Sequence, residues 1–350
     1  MNKDYRNHNN FLNKDSRVFI IAEMSGNHNQ SLSHAIKIVE AAAKSGVDAI
    51  KVQTYTADTM TIDSNNEEFL VSGDSIWKGR KLYDIYKSAH TPWEWHKTIF
   101  KRATELGLLA FSTPFDSSAV DFLESLNVPC YKVSSFENTD INLIKKIAST
   151  GKPMIISTGM ATVSELGETI DTARKYGCND ITLLKCTSTY PASPEDSNIL
   201  TIPHMRSLFN CRVGLSDHTL GIGVAVASVA LGATVIEKHF TLDRMDGGID
   251  SSFSLEPDEF SLLVSESERA SVSLGHIIYG PGKSENNSVK RRRSIYITEN
   301  LVAGDKISHK NIKAIRPGCG LPTKYMDIVI GMRVLYDVKH GSPLTWDLLK

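Results

Sequence analysis

Between residues 18 and 274, short apolar runs alternate with helix-length stretches eight times, and few folds can accommodate that rhythm. The runs are VFIIAE (18–23), AIKVQT (49–54), LLAFST (108–113), YKVSS (131–135), PMIIST (153–158), ITLLKCT (181–187), CRVGLS (211–216) and TVIEKHF (234–240). Most are continuously apolar, as expected of parallel strands covered by helices. The intervening segments carry helix signals. Ser45-Gly46 closes a stretch begun at Leu32. Thr91-Pro92 reads as the cap and first position of a helix running to Leu106. Gly177 and Gly232 end two more, and a last helix runs from about Pro257 to Leu274. Eight units predict an α/β fold of the closed (β/α)8, or TIM-barrel, type. The rival is an open doubly wound sheet, but no GxGxxG follows the first run.

Residues 276–293, HIIYGPGKSENNSVKRRR, break the rhythm and read as a linker. Beyond them lie strand-like pieces SIYIT, KAIRP and VLYDV, with turns at 303–305 and 340–342. The expected division is a barrel domain over 1–283 and a small second domain over 284–350. Such a short unit is expected to pack on the barrel or on another subunit. The basic run Lys290–Arg293 reads as a solvated hinge.

Composition narrows the class. The 350 residues are 41% apolar, and 39 basic against 40 acidic residues leave a net charge of −1. That balance gives no bulk attraction to nucleic acid or membranes. No 18-residue apolar run suggests a membrane span, and the polar opening MNKDYRNHNNFLNKDSR lacks the core of a secretory leader. Five cysteines, none in a CxxC pair, argue against a disulfide framework and fit a reducing, cytoplasmic setting. Cys130 and Cys186 read as buried, inert thiols.

In a barrel, the carboxyl ends of the strands converge on one face, where ligands bind. Most of the strands here end in ionisable or hydroxyl groups. Glu23 closes the first. Lys51 and Gln53 lie on the second, Thr113 on the third, and Lys132 on the fourth, with Ser135 and Glu137 just beyond. Ser188 follows the sixth, Ser216 and His218 end the seventh, and Glu237, Lys238 and His239 end the eighth. Lysines inside apolar strands are costly unless paired. Lys51 and Lys132 therefore suggest an anion bearing phosphate and carboxylate, with internal pairing to Glu23 or Glu137 as the plainer explanation. His218 and His239, one unit apart, suit a divalent cation, acid–base work or structural hydrogen bonding; spacing alone leaves all three open. Asp250, in the loop DRMDGGIDSSF, fits either a turn role or a sugar contact.

The segments FIIAEMSGNHNQ, AIKVQT, FSTPFD, YKVSSFE, PMIISTGM, GLSDHTLG and EKHFTLDR together resemble the N-acylneuraminate (sialic acid) synthase family. The likeness covers roughly residues 18–345. The tail with KAIRPGCGL looks like the antifreeze-like SAF domain that these synthases carry. The resemblance implies condensation of phosphoenolpyruvate with an open-chain amino sugar. It implies that His218 and His239 bind Mn2+ or Mg2+, and that Lys51, Lys132, Thr113, Ser135 and Ser216 hold phosphoenolpyruvate. Ser188 stands where sialate-making members typically have Asn. Glu23 is implied near the sugar, with Gln53 among the substrate contacts. Glu137 is implied beside the reacting carbons, Asp250 on sugar hydroxyls, and Arg316 at the site of the other subunit in a domain-swapped homodimer. The GGIDSxFSLEP pattern, with EMSGNHNQ and HTPWEW, looks like the pseudaminic acid synthase branch. Its acceptor is 2,4-diacetamido-2,4,6-trideoxy-L-altrose. Neuraminate and legionaminate synthases share the chemistry. An aldolase or phosphosugar isomerase on a similar barrel, or a carbohydrate-binding scaffold, would ignore phosphoenolpyruvate.

Overall fold

The computed structural model describes residues 17–72 and 76–350. Eight parallel strands close into a barrel in sequence order. They are β1 (Phe19–Glu23), β2 (Ala49–Thr54), β3 (Leu109–Pro114), β4 (Tyr131–Val133), β5 (Met154–Ser157), β6 (Ile181–Cys186), β7 (Arg212–Asp217) and β8 (Val235–His239). Pairing of β1 with β8, Glu23 opposite His239, closes the ring.

Strand geometry sorts the side chains. Successive residues point to opposite faces. The outward row, including Ile20, Ile50, Ala110, Val213 and Ile236, packs against helices such as Leu32–Lys44, His96–Glu105 and Pro257–Ser273. The inward row begins with an apolar floor of Phe19, Ile21, Ala49, Leu109, Phe111, Cys130, Ile155, Leu184 and Val235. At Gly214 a Cβ would lie 2.1 Å from the Val235 carbonyl oxygen, so only glycine lets β7 and β8 approach there.

Two residues further along, every inward row turns polar or bears a thiol. The residues are Glu23, Lys51, Thr113, Lys132, Ser157, Cys186, Ser216 and Glu237, all buried. Eight strands thus deliver one polar layer above one apolar floor.

One helix start differs from expectation. Thr91 does not cap the helix after it; its hydroxyl lies 3.2 Å from His28 Nε2, and a 3-10 turn, Trp93–Trp95, precedes the helix His96–Glu105. The tertiary partner outcompetes the local cap.

The compact units part between Gly275 and His276, at the start of the Gly/Pro-rich segment in which the sequence reading placed the boundary after residue 283. The second unit pairs β9 (Ser294–Ile297) antiparallel with β10 (Ile312–Ile315) over its own core, which includes Ile295, Ile307, Val329, Val334 and Leu344. VLYDV, expected as a strand, makes only isolated bridges, Val334 to Leu349 and Leu301 to Val338. Lys290–Arg293 are exposed. Among the described residues no helix is long and apolar enough to cross a membrane.

On the outward face of β7 and β8, Asp217 and Lys238 form a buried ion pair at 2.8 Å, and Asp217 also accepts from the Thr219 backbone N–H and hydroxyl. This pair anchors the turn that presents His218. Asp217→Ala would strand the Lys238 ammonium, so urea unfolding should show a loss of about 3–5 kcal/mol.

Candidate active site

The polar layer gathers four charges. Lys51 Nζ lies 2.7 Å from Glu23 Oε2, donates to Thr113 Oγ1 at 3.2 Å and stands 3.7 Å from Glu237 Oε1. Lys132 Nζ donates to Ser157 Oγ at 2.6 Å and to the Val133 carbonyl at 3.0 Å, and lies 3.9 Å from the same Glu237 oxygen. Glu237 is therefore shared by both lysines, and Ser216 Oγ donates to it at 3.3 Å. Gln53 Nε2 donates to Glu23 Oε1 at 2.9 Å and to Ser25 Oγ at 3.1 Å. The plainer sequence reading, pairing of Lys51 with Glu23, is present. Lys132 pairs with Glu237 and not with Glu137.

Two cations and two carboxylates balance, but each responds differently to burial. Burial opposes charge on Glu237, yet Lys132, Lys51 and His218 outweigh it and hold this carboxyl below its usual range. Burial raises Glu23; Lys51 offsets this only in part, and the neighbouring Glu237 adds to the rise. Burial also works against Lys51, but Glu23 and Glu237 keep it firmly protonated. Lys132 is lowered by burial, with Glu237 opposing. Glu237 is the fixed anion of the cluster, and Glu23 is the carboxyl ready to hold a proton.

Beside the lysines is a small cradle. The Gly159 N–H donates to Ser135 Oγ at 3.1 Å, and a Cβ on Gly159 would lie 2.2 Å from Ser188 Oγ and 2.6 Å from Ser135 Oγ. Only a residue without a side chain leaves both hydroxyls facing this space. Lys132, which shares the neighbour Cys186 with Ser135, gives this spot a cationic side suited to an anion.

The histidines stand side by side, ring centroids 5.3 Å apart. His218 Nδ1 lies 2.9 Å from the Thr187 carbonyl oxygen. A carbonyl only accepts, so Nδ1 carries a proton. Burial opposes charge on His218, but Cys186 and this carbonyl raise it above an ordinary histidine, and Nε2 offers a lone pair once the ring gives up its second proton. His239 Nδ1 is buried without a hydrogen-bond partner, 3.7 Å from Asp250 Oδ2. Burial, then His218 and the lysines, drive His239 well below an ordinary histidine, so its imidazole is neutral. An orphaned neutral nitrogen beside a second free one fits two ligands of a divalent cation. Among the described residues no group of three His, Cys, Asp or Glu converges on one point, so the other positions would fall to water and substrate.

Cys186 differs from the inert thiol expected. Its Sγ lies 3.8 Å from His218 Nδ1; burial opposes ionisation, but His218 prevails and the thiol is lowered to about 6. Cys130, sealed in the floor, is driven up by burial.

Two carboxyls remain at the strand ends of the barrel. Glu137, half-buried, accepts from Ser134 Oγ and is raised by burial. Asp250 is buried and raised by burial. Its backbone N–H donates to Asn27 Oδ1, and the Asn27 amide donates to Phe240 O and Ser254 Oγ, so one buried asparagine fastens the whole loop. Gly248 passes so close that a Cβ would meet Asn27 Oδ1 at 2.7 Å, and Gly247 has φ +71°. The Gly-Gly pair therefore has a backbone reason of its own. Arg316 lies in the second unit, exposed.

Sequence reasoning missed Ser157, Tyr190 and Phe253, and noted Glu237 without choosing it. Tyr190 and Phe253 pack around the histidines, with centroids 4.5 Å from His218 and 5.0 Å from His239 respectively. Glu237 was legible: it sits two residues before His239, hence on the same inward row. Ser157 follows Ile155 in the same way.

This arrangement meets a match over most of the chain. A family model described as the NeuB family covers residues 38–279, and an SAF domain model covers 292–350. The chain belongs to the NeuB family. A pseudaminic acid synthase of Campylobacter jejuni is 43% identical over 336 residues, covering 95% of this chain and 97% of that protein. An N,N'-diacetyllegionaminic acid synthase of Legionella pneumophila is 37% identical, covering 94% of each. The crystal structure of an N-acetylneuraminic acid synthetase from Leptospira borgpetersenii superposes with a TM-score of 0.70 at 32% identity, over 78% of this chain and 90% of that one. The barrel and SAF unit are thus those of a NeuB-family protein.

The shared carboxylate generates a pH test. Glu237 is held below its unfolded value, so its contribution is present above the ordinary carboxylate range and lost as pH falls through its folded pKa. Glu237→Gln should cost about 3 kcal/mol at pH 7. The gap to wild type should narrow below about pH 4. Urea unfolding at several pH values reads both.

Proposed function

We propose that the chain is a pseudaminic acid synthase, condensing phosphoenolpyruvate with 2,4-diacetamido-2,4,6-trideoxy-L-altrose and water to give pseudaminic acid and phosphate. The observation that carries the reading is the buried pair Lys51 and Lys132 beside the Gly159 hydroxyl cradle, directly below two imidazoles, in a NeuB-family chain. The greater identity to the pseudaminic acid synthase than to the legionaminic acid synthase supports the choice of acceptor.

In this reading the lysines hold the phosphate and carboxylate of phosphoenolpyruvate, with Thr113, Ser135, Ser188 and Ser216 supplying hydroxyls. The lysines already have carboxylate partners, so the arriving anion competes with Glu23 and Glu237. Glu23, whose pKa is raised, takes up a proton as Lys51 turns to the ligand. C3 of phosphoenolpyruvate bonds to the acceptor's aldehyde carbon, whose oxygen takes a proton. Water adds its hydroxyl at C2 and gives up a proton; the C2–O bond to phosphate then breaks as the C2 hydroxyl passes its proton to the departing phosphate, leaving the keto acid. Glu23 and Glu137, both poised to exchange protons, serve these two transfers. Asp250 and Gln53 face the sugar. His218 and His239 would hold Mn2+ or Mg2+, which when bound supplies Lewis acidity toward the aldehyde oxygen. Arg316 is assigned to the acceptor from the second copy of a homodimer.

The decisive assay offers the altrose derivative, N-acetylmannosamine and the legionaminate precursor separately with phosphoenolpyruvate and manganese. Phosphate release and product mass should show preferred turnover of the altrose derivative to a nine-carbon acid. Preference for the legionaminate precursor would move the chain to that branch, and no phosphate from any sugar would refute the synthase reading. Lys51→Met should raise the KM for phosphoenolpyruvate about 100-fold, the effect of removing one buried charged contact. His218→Ala should lower kcat by about 100-fold or more and lose the response to a chelator that wild type shows. Unchanged kinetics in either variant would return that residue to a packing role.

A further inference from the structure

The segment between β2 and β3 is the longest excursion from the barrel, and its contribution to the site is not explained by the charged layer. The inward row of β2 runs Ala49, Lys51, Gln53 and then Tyr55, two residues toward the mouth. The inward row of β3 runs through Thr113 to Phe115. Because Gln53 pairs with Thr113, the next residues up meet: the Tyr55 and Phe115 rings are edge-to-face at 5.1 Å. Tyr86, on the helix Leu82–Ala89 of the excursion, meets Tyr55 edge-on from another side at 5.9 Å. The Tyr55 backbone is fixed in turn, its carbonyl accepting from Trp93 Nε1 at 3.2 Å.

Tyr55 is only 3% exposed, its hydroxyl bonds to no group among the described residues, and that oxygen is not sealed from solvent, so it opens at the mouth. A phenol that opens at a site without a partner in the chain is free to bond a ligand. Its charged neighbours are the carboxyls of Asp250 and Glu23, and Tyr86 feels Glu137; burial and these groups raise both phenols, so each keeps its proton and can only donate or accept as a neutral group. An incoming anion would be repelled by the same carboxyls. A neutral carbonyl would not, and three aromatic rings around it offer a place for a methyl group. One substituent combines these properties: an acetamido group.

We propose that Tyr55, backed by Tyr86 and Phe115, is a specificity-determining wall of the acceptor pocket. Its phenol donates to the carbonyl of an acetamido group, and the Tyr86 ring packs on that group's methyl. The proposal rests on the synthase reading above and adds to it the side chains that select an N-acylated sugar. No covalent step is involved.

The test uses the full-length enzyme with manganese, phosphoenolpyruvate and the sugar that wild type prefers. Tyr55→Phe removes only the hydroxyl, which makes no bond within the protein, so the fold is kept. Its KM for the acceptor should rise about tenfold, the usual effect of one lost hydrogen bond, while the KM for phosphoenolpyruvate stays within about twofold. Tyr86→Leu should reduce the preference for the N-acetyl sugar over its N-formyl analogue, by the severalfold that one methyl contact gives. An unchanged acceptor KM in Tyr55→Phe, or parallel rises in both KM values with a lowered melting temperature, would overturn the wall and leave the synthase reading standing. A wild type that turns over no sugar would overturn both.

Discussion

Closing eight parallel strands forces every second side chain into one narrow interior, and the rest of this molecule follows from how that interior is filled. The floor is apolar and buried. One step higher, the row turns polar on nearly every strand, with Glu23, Lys51, Lys132 and Glu237 among the groups crowded there. Charges so deep survive only in company. Glu237, shared by both lysines, and Glu23 on Lys51 balance the two ammonium groups, and the lysines remain available because these two carboxyls differ in proton affinity.

The outward face supports this from behind. Asp217 and Lys238 belong to the same two strands as Ser216, Glu237 and His239 but point the other way, and their ion pair sets the turn that carries His218. Asn27 does the same for the loop after β8, holding Asp250 in place through bonds from one amide. The chemistry sits on strand ends, which are rigid, and the loops that complete the site are tied back to buried polar side chains. This is how a barrel fixes geometry at its mouth.

Legibility followed the strength of the local signal. Eight apolar runs of even length, each followed by a helical stretch, were enough to identify a (β/α)8 barrel, because period and spacing are local properties. Lys51 and Lys132 stood out because a lysine within an apolar run is costly. Glu237 was as visible as His239 but was passed over, since its importance arises from two lysines on strands far away in sequence. Thr91 read as a helix cap because the neighbouring Pro92 fits that role, and His28, more than sixty residues earlier, claimed its hydroxyl. VLYDV had strand composition but bridges only singly to Leu349 and Leu301, so no ladder formed. The Gly-Gly pair of the last loop was read as part of a branch likeness, whereas Gly248 is required by its contact with Asn27.

By itself, the sequence determined the barrel, the small second unit, the family, and which strand ends carry ionisable groups, because alternation and burial are written into residue order. Tertiary structure alone decided which of those groups meet. Barrel closure placed Glu23 beside His239, shared Glu237 between two lysines, set the Ser135 and Ser188 hydroxyls over Gly159, and brought Tyr55 and Tyr86 together at the mouth. Those encounters depend on strand register and ring closure, which join residues scores of positions apart, and no local pattern in the chain encodes them.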